Sequence, residues 1–597
     1  MSFPRFSTFP LLIRILFAAS GLTLAACAQQ PTLSAASADK PALSQSQAEE
    51  AAHQKAAASA AEHAAEQNLP KQDLTEALLY EYLLAEIAGQ RGAVGLSAQA
   101  YADLAKQTRD PRIAKRAAEV ALYARMPAAA IDAARIWYET EPSSLQALQA
   151  LTSLLIGAKR EQEALPYLQK LLQSDDSGAG FLQLARLLAN NEDKALTLNL
   201  VRQLAQPYPG SAQAHFAVAQ AAVGAGQSEL ALSEVRAAAK LQPDWDLPVL
   251  LEAQLLQRQS NTLALEHLAA FLARHPMARD VRMSYARALV AEKKYTEARA
   301  EFQTLLKDFP DNTDVVFAVG VLSLQLQDYA LAQANFNRLL VLPYRDKNTV
   351  RMYLGQIAEE QKDFPEALRL YDEVVGGESY LRAQIRYALV LSKQGNLAAA
   401  RAHLQQIEVD SESAKVQLLL TEAQMLRDAK QPRVAFELIG NALQSMPEQP
   451  ELLYDYAMLA EKLDRVDVLE TSLTKLIKLK PDHAHAYNAL GYSLAERNLR
   501  LPEAQELIEK ALQLSPEDPF IIDSMGWVLY RAGKSEQALE YLRKAYTVRP
   551  DPEIAAHLGE VLWVAGERSE AEKIWLDASK KAPDNDALNS TIKRFRP

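Results

Sequence analysis

Residues 521–550 read IIDSMGWVLYRAGKSEQALEYLRKAYTVRP, and the same arrangement of small and apolar residues returns about every 34 residues in this 597-residue chain. Alanines carry the period at spacings of 33 to 35 residues, or 69 across two units: Ala298, Ala332, Ala367, Ala400, Ala435, Ala504, Ala538 and Ala571. Prolines keep the same step at Pro447, Pro481, Pro516, Pro550 and Pro583. This period predicts stacked helical hairpins, because one unit is too small to bury its apolar face alone.

The residues inside each unit resemble those of the tetratricopeptide repeat. In that repeat, small residues at positions eight, twenty and twenty-seven let two antiparallel helices approach closely, and here they are Gly526, Ala538 and Ala545. A large residue at position twenty-four fills the gap beside them: Phe302, Phe336, Tyr371, Leu404 and Trp575. Glycine at position fifteen is expected to end the first helix in a left-handed turn, at Gly226, Gly395, Gly533 and Gly566. Proline at position thirty-two closes the second helix.

Fifteen such units fit between about Tyr80 and Pro583. The sequence therefore predicts an all-α fold, an α-solenoid superhelix of about fifteen tetratricopeptide hairpins over residues 70–583. Residues 584–597 begin with the helix-capping sequence Asp584-Asn585-Asp586, followed by apolar residues on one face, and predict a C-terminal capping helix. Because the repeats leave no room for a catalytic domain, an enzyme such as a repeat-bearing glycosyltransferase is disfavoured.

The N-terminus predicts export and lipidation. Arg5 and Arg14 precede an apolar run at residues 15–26 that is too short to span a bilayer, so residues 1–26 are interpreted as a signal peptide. The run ends in Leu24-Ala25-Ala26-Cys27, which resembles a bacterial lipobox, and Cys27 is the only cysteine. A free thiol is the alternative, but this position favours acylation, and several acyl chains make a durable anchor. Ala28, by resemblance to Gram-negative lipoproteins, favours the outer membrane with the solenoid facing the periplasm.

Residues 27–69 form the predicted lipidated N-terminus and tether, which is rich in Ala, Ser and Gln. Its first part lacks an apolar period and is expected to be flexible. Gln45–Gln67 favours helix but offers little apolar surface to bury. This segment is interpreted either as a spacer or as a segment that orders on a partner.

Charge and motifs exclude several classes of function. The formal net charge is −11, and removing Arg5 and Arg14 with the signal peptide leaves −13, which disfavours nucleic-acid binding. Gly533-Lys534-Ser535 looks like the end of a phosphate loop, but position 528 is valine and no strand precedes it. His483 and His485 lack a third ligand nearby. We therefore expect no catalytic residues, no metal, no cofactor and no small-molecule substrate.

The concave surface, lined mainly by the first helix of each hairpin, is the remaining candidate site. Its fifth and ninth positions, with one further residue a turn later, give the candidate partner-binding residues Tyr454, Met458, Asn488, Tyr492, Asp523, Trp527 and Tyr530. Aromatic and methionine side chains there are suited to anchoring an extended peptide or a partner helix. The alternative is that they pack between neighbouring first helices. Because Asn488 stands without the paired lysines of known peptide clamps, recognition of an acidic C-terminus is not expected.

Taken together, the lipobox, tether and repeats resemble the long tetratricopeptide lipoproteins of the Gram-negative outer membrane. The resemblance extends to the lipoprotein adaptor of the periplasmic carboxyl-terminal processing protease, which brings that serine protease to peptidoglycan hydrolase substrates. It implies a scaffold that raises the effective concentration of its partners. Two further hypotheses are an assembly lipoprotein of a secretion or exopolysaccharide-export complex, and a structural spacer without specific partners.

Overall fold

The computed structural model describes residues 69–70, 72–173, 179–188, 191 and 193–596. Regular secondary structure in this part of the chain is entirely α-helical, which confirms the predicted fold class. None of the described helices is long and apolar enough to cross a membrane. The predicted signal peptide, the predicted lipidation site Cys27 and nearly all of the predicted tether lie outside the described residues. The chain divides into two compact units, one ending at Pro310 and one beginning at Asp311.

The N-terminal unit contains fourteen helices among its described residues, which follow one another as seven pairs. Their helices are α1 (Glu76–Gln90), α2 (Val94–Thr108), α3 (Pro111–Tyr123), α4 (Pro127–Thr140), α5 (Leu145–Gly157), α6 (Glu161–Gln173), α7 (Ala179–Leu188), α8 (Lys194–Ala205), α9 (Ala212–Gly224), α10 (Ser228–Leu241), α11 (Asp246–Gln257), α12 (Asn261–Arg274), α13 (Arg279–Ala291) and α14 (Tyr295–Asp308). Each odd-numbered helix packs against the even-numbered helix that follows it, except that α7 and α8 both pack mainly against α9. We call these the A helix and the B helix of a hairpin.

The C-terminal unit contains eight hairpins and a final single helix. Its helices are α15 (Thr313–Gln325), α16 (Tyr329–Val341), α17 (Lys347–Glu360), α18 (Phe364–Asp372), α19 (Tyr380–Lys393), α20 (Leu397–Gln406), α21 (Glu412–Asp428), α22 (Pro432–Ser445), α23 (Pro450–Lys462), α24 (Val466–Leu479), α25 (Ala484–Glu496), α26 (Leu501–Leu514), α27 (Pro519–Arg531), α28 (Ser535–Val548), α29 (Pro552–Val564), α30 (Arg568–Lys581) and α31 (Asp586–Phe595). The described residues of the two units contain fifteen successive helix pairs, in agreement with the prediction of about fifteen.

Close approach of the A and B helices explains the small residues that define the period. All eight of the periodic alanines named above are fully buried, with no exposed area. Glycine at position eight faces the large residue sixteen positions later. A Cβ atom added to Gly320 would lie 2.7 Å from the Phe336 ring, and one added to Gly355 would lie 2.6 Å from the Tyr371 ring. The large side chain therefore occupies the space that a side chain at position eight would need.

A left-handed residue ends most of the A helices. Gly226, Gly395, Gly533 and Gly566 all have positive φ, between 73° and 91°, which confirms the predicted turns. The same position is left-handed with non-glycine residues in other hairpins, for example at Lys293 and Asn498. The connection between two antiparallel helices imposes this conformation, and glycine adopts it at the least steric cost.

The C-terminal helix α31 closes the end of the repeat array, as predicted. The side chain of Asn585 caps the helix by accepting a hydrogen bond of 2.9 Å from the Leu588 amide. Leu588 is fully buried, and α31 packs mainly against α29. The helix therefore occupies the place beside α29 that the A helix of a further hairpin would take.

Candidate functional site

The C-terminal unit carries a groove of about 480 Å³ on the face formed by its last A helices. The A helices α23, α25, α27 and α29 contribute most of its lining, and α31 closes one side. We call it the C-terminal groove and define it by the following lining residues: Met458, Glu461, Lys462, Tyr492, Glu496, Phe520, Asp523, Trp527, Glu553, His557, Glu560 and Arg594. Its volume lies in the range of pockets that bind ligands.

The repeat explains why these residues meet. Positions five and nine of an A helix are one helical turn apart and therefore face the same direction. Because successive hairpins repeat the same geometry, these positions line up across neighbouring A helices. Asp523 and Trp527 occupy them on α27, Tyr492 occupies the ninth on α25, and Glu560 the ninth on α29.

The lining of the C-terminal groove is acidic. Five carboxylates line it, at Glu461, Glu496, Asp523, Glu553 and Glu560. Only Lys462 and Arg594 carry a permanent positive charge among its lining residues, and His557 is the third cationic group when protonated. The surplus of negative charge favours a cationic ligand over an acidic one.

A buried aspartate and histidine form the centre of the groove. His557 Nδ1 lies 2.8 Å from Asp523 Oδ2, and its Nε2 lies 3.3 Å from the Tyr492 hydroxyl. Because a carboxylate only accepts, Nδ1 carries the proton of the bond to Asp523. The imidazole also stacks on the indole of Trp527 with ring centroids 4.2 Å apart. These contacts fix the ring between α25 and α27.

Two further carboxylates of the groove have contrasting partners. Glu560 is buried and pairs with Arg594 of α31, and it also accepts a hydrogen bond of 3.4 Å from the Tyr530 hydroxyl. Burial raises the pKa of its carboxyl, although the Arg594 guanidinium opposes this effect. Glu496 is exposed and accepts a hydrogen bond of 2.7 Å from the Trp527 indole. Its carboxylate pairs with no cation among the described residues.

Two buried polar atoms near the groove lack a hydrogen-bond partner within the described part of the chain. They are Oδ1 of Asp523 and Oδ1 of Asn488. Asp523 is 5% exposed and lines the groove, so its unpartnered oxygen belongs to the site. An unpartnered buried acceptor is unfavourable by itself and marks a place where a donor from a ligand would be stabilised.

The structure brings four of the seven predicted groove residues together. Met458, Tyr492, Asp523 and Trp527 all line the C-terminal groove. Trp527 is only 3% exposed, so it forms the wall of the groove and also packs in the core.

The other three predicted residues lie beside the groove. The ring of Tyr454 lies 5.4 Å from that of His483, Asn488 is buried, and Tyr530 is half-buried beside Trp527. They lie on α23, α25 and α27, the same A helices that carry the four groove residues.

Eight of the twelve residues that define the groove were not among the sequence-based candidates: Glu461, Lys462, Glu496, Phe520, Glu553, His557, Glu560 and Arg594. The repeat register contained a signal for Glu560, which occupies position nine of the last hairpin. His557 and Glu553 lie at positions six and two, outside the fifth and ninth positions used for the prediction. Arg594 comes from the capping helix, to which the repeat register does not apply.

We expect the stability of the chain to fall as the pH rises above about 6.5, because of the His557–Asp523 pair. Burial alone lowers the pKa of His557, but the neighbouring Asp523 carboxylate outweighs burial and holds that pKa above 6.5. Burial also raises the pKa of Asp523. Both shifts make the folded chain bind protons more tightly than the unfolded chain. The contribution of His557 is therefore present below pH 6.5 and lost as the pH rises through its folded pKa, whereas that of Asp523 is present below pH 3.8 and lost as the pH rises through the folded pKa of Asp523.

This pH effect is measured by urea unfolding from about pH 6 to about pH 9. The free energy of unfolding of the parent chain is expected to decrease over this range more steeply than that of the double variant Asp523→Asn/His557→Gln. Equal slopes would contradict the assignment. The charged or titratable groups around the pair are Tyr492 and Glu496 on α25, Asp551 just before α29, Glu553 and Glu560 on α29, and Arg594 on α31.

Stacked hairpins with tight A–B contacts and an open groove on the A-helix face define a helical-repeat protein that binds other proteins. The sequence matches the model of the tetratricopeptide repeat at residues 252–313, 320–380, 470–519 and 524–587. It is 37% identical over 525 residues to the TPR repeat-containing protein PA4667 of Pseudomonas aeruginosa, in an alignment that covers 87% of this chain and 88% of that protein. The chain belongs to the tetratricopeptide repeat family.

More distant similarities cover smaller parts of both proteins. The chain is 26% identical over 283 residues to the cellulose synthase operon protein C of Pseudomonas fluorescens and 22% identical over 260 residues to the human mitochondrial import receptor subunit TOM70. These alignments span 22% and 37% of the length of those two proteins. Among solved structures, a thermophilic TPR protein of Thermus thermophilus is similar over 30% of this chain and 98% of its own, with 24% identity and a TM-score of 0.28.

Proposed function

We propose that this chain is a non-enzymatic, lipid-anchored scaffold that faces the periplasm and holds partner proteins on its A-helix face. The observation that carries the proposal is the C-terminal groove, where an unpartnered oxygen of Asp523 lies among half-buried apolar side chains such as Met458 and Tyr492. A protein segment would supply both the donor and the apolar surface that these groups lack. The anchor is proposed from Cys27 and the residues before it.

The proposed role of this scaffold is that of an adaptor. It would bring a carboxyl-terminal processing protease to cell-wall hydrolases, which become its substrates. The lipobox-like sequence at residues 24–27, the tether and the run of repeats support this proposal through their resemblance to that adaptor family. Two proteins held on one surface gain effective concentration, so a weak encounter between them becomes productive.

A role in polysaccharide export is the second candidate. The similarity to the cellulose synthase operon protein C of Pseudomonas fluorescens favours it over a secretion complex or a structural spacer. In that case the same groove would hold a component of an export complex. The two candidates therefore differ in the identity of the partner and share the mode of binding.

We expect Met458→Ser to reduce the capture of the partner by about tenfold, because truncation of a groove anchor removes at least about 1.4 kcal/mol of binding energy. The matched control is Met277→Ser, since Met277 is 80% exposed and lies in the N-terminal unit. Full-length chain in detergent is used as bait in a solubilised envelope, and the captured proteins are identified by mass spectrometry.

The identity of the captured proteins decides between the candidates. A periplasmic serine protease together with peptidoglycan hydrolases supports the adaptor, and polysaccharide-export proteins support the second candidate. Equal capture by Met458→Ser and Met277→Ser would show that the groove does not hold the partner. An absence of specific capture by the parent chain would favour a structural spacer.

A further inference from the structure

We infer that the C-terminal groove binds an arginine side chain from an extended segment of the partner protein, with the Asp523 carboxylate as its principal acceptor. This inference rests on the proposed partner-binding role of the same groove and names the chemistry that it recognises. It differs from capture of an acidic chain terminus, since the acidic lining would repel such a ligand.

The first observation is the incomplete hydrogen bonding of Asp523. One of its carboxylate oxygens accepts from His557, and the other has no partner in the part of the chain that the structure describes. The residue is only 5% exposed, so bulk water has little access to the free oxygen. A buried carboxylate in this state gains most from a donor that also carries positive charge.

A second buried aspartate in the same unit has hydrogen bonds to both of its carboxylate oxygens. Asp455 on α23 is 6% exposed, and the guanidinium of Arg427 lies 2.6 Å and 2.7 Å from its two oxygens. Asp523 is buried to a similar extent, but its side-chain partner is His557, which contacts only one of its two oxygens. Asp523 therefore keeps one oxygen without the donor that Asp455 has, and a guanidinium from a ligand would supply that donor.

The charge of the groove also favours a cation. Glu461 is paired with Arg497 at 2.7 Å, and Glu560 is paired with Arg594. Glu496 has only the neutral Trp527 donor, and Asp523 has only the titratable His557, among the residues that the structure describes. A single added cation near these two carboxylates would reduce the surplus of negative charge.

Arginine fits this site better than lysine. Arg594 already places one guanidinium in the groove, and the guanidinium of Arg531 lies 5.7 Å from the centroid of the Trp527 ring. A guanidinium is planar and presents a fork of donors that can reach two acceptors, whereas an ammonium acts as a point charge. The half-buried side chains of Met458, Tyr492 and Phe520 would contact the stem of the arginine and the apolar residues beside it.

The test compares two fluorescein-labelled peptides, Gly-Ser-Leu-Arg-Leu-Ser-Gly and its twin with citrulline in place of arginine, by fluorescence anisotropy. Citrulline keeps the shape of the side chain and removes its charge. Full-length chain in detergent is expected to bind the arginine peptide at least about tenfold more tightly than the citrulline peptide. Equal binding of the two peptides would overturn the inference.

Two variants show whether Asp523 is the acceptor. Asp523→Asn is expected to weaken binding of the arginine peptide by about tenfold, whereas Asp467→Asn, an exposed control outside the groove, is expected to leave it unchanged. His557→Gln keeps the Asp523 carboxylate and removes the competing cation, so it is expected to bind the arginine peptide at least as tightly as the parent. Unchanged binding in Asp523→Asn, or a tenfold loss in His557→Gln, would overturn the inference.

The capture experiment and the peptide-binding experiment test different statements, so one can fail while the other succeeds. If envelope partners are captured through Met458 while arginine and citrulline peptides bind equally, the scaffold role stands and the arginine inference is wrong. If the arginine peptide binds through Asp523 while capture does not depend on Met458, the arginine site stands and the proposed role of the groove is wrong. Circular dichroism of each variant confirms that the helices remain folded.

Discussion

Arg427→Met is expected to lower the free energy of unfolding of the hairpins around α21 and α23 by about 3 to 5 kcal/mol, because it leaves a buried carboxylate without its charge partner. The Arg427 and Asp455 side chains are 11% and 8% exposed, so water screens the pair only weakly. Methionine fills a similar volume but offers no donor. Hydrogen exchange of the α21 and α23 amides measures the local loss directly.

The double variant Arg427→Met/Asp455→Leu is the control for this prediction. Replacing both members of a buried pair by apolar residues is often neutral, so the double variant is expected to recover most of the lost stability. Burial already raises the pKa of Asp455 despite Arg427, and the single variant is therefore expected to regain stability as the pH is lowered and Asp455 takes up a proton. Equal losses in the single and double variants would show that the ion pair is not the cause.

The repeat fold follows from the sequence because its strongest constraints are local. Ala298, Ala538 and the other periodic alanines are fully buried at the contact between two helices that are adjacent in the chain. Such contacts recur in each unit, so they appear in the sequence as alanines at a regular spacing. The left-handed backbone conformation of Lys293 and Asn498 is harder to predict from the sequence, because the turn imposes this conformation on residues that do not favour it.

The groove was only partly predictable, for a physical reason. The register placed Met458, Tyr492 and Asp523 on one face, since side chains at equivalent positions of stacked helices share a direction. It did not reveal that His557 covers Asp523 and stacks on Trp527, because this contact joins two different hairpins. An A-helix side chain either lines the groove or packs in the core, and the neighbouring hairpin decides between the two. The sequence of a single repeat does not contain this information.

The repeat period also does not determine where the capping helix packs. Its amphipathic sequence indicated a helix, and the structure places it against α29 where it closes the C-terminal groove. Arg594 therefore pairs with Glu560 on an A helix, a contact between two elements that share no repeat position. The stability of the groove thus depends on how firmly the last hairpin holds this helix.

Trp575→Ala is expected to lower the free energy of unfolding of the last hairpin and α31 by about 3 to 5 kcal/mol, as for other large core residues truncated to alanine. Trp575 on α30 is 2% exposed and lies over Gly559, where a Cβ atom would overlap its indole. Its ring also stacks on Phe595 of α31, with centroids 6.1 Å apart. Truncation would therefore leave a cavity under the B helix and remove one of the contacts that hold the capping helix.

Leu576→Ala provides the matched control, because Leu576 is the next residue on the same helix and is 57% exposed. Its effect is expected to stay within about 0.5 kcal/mol. Hydrogen exchange of the α31 amides should become faster in Trp575→Ala and remain unchanged in Leu576→Ala. Because α31 carries Arg594 to the groove, loss of this helix would expose Glu560 and open one side of the site. Unchanged α31 exchange in Trp575→Ala would show that the Trp575–Phe595 contact does not hold the capping helix.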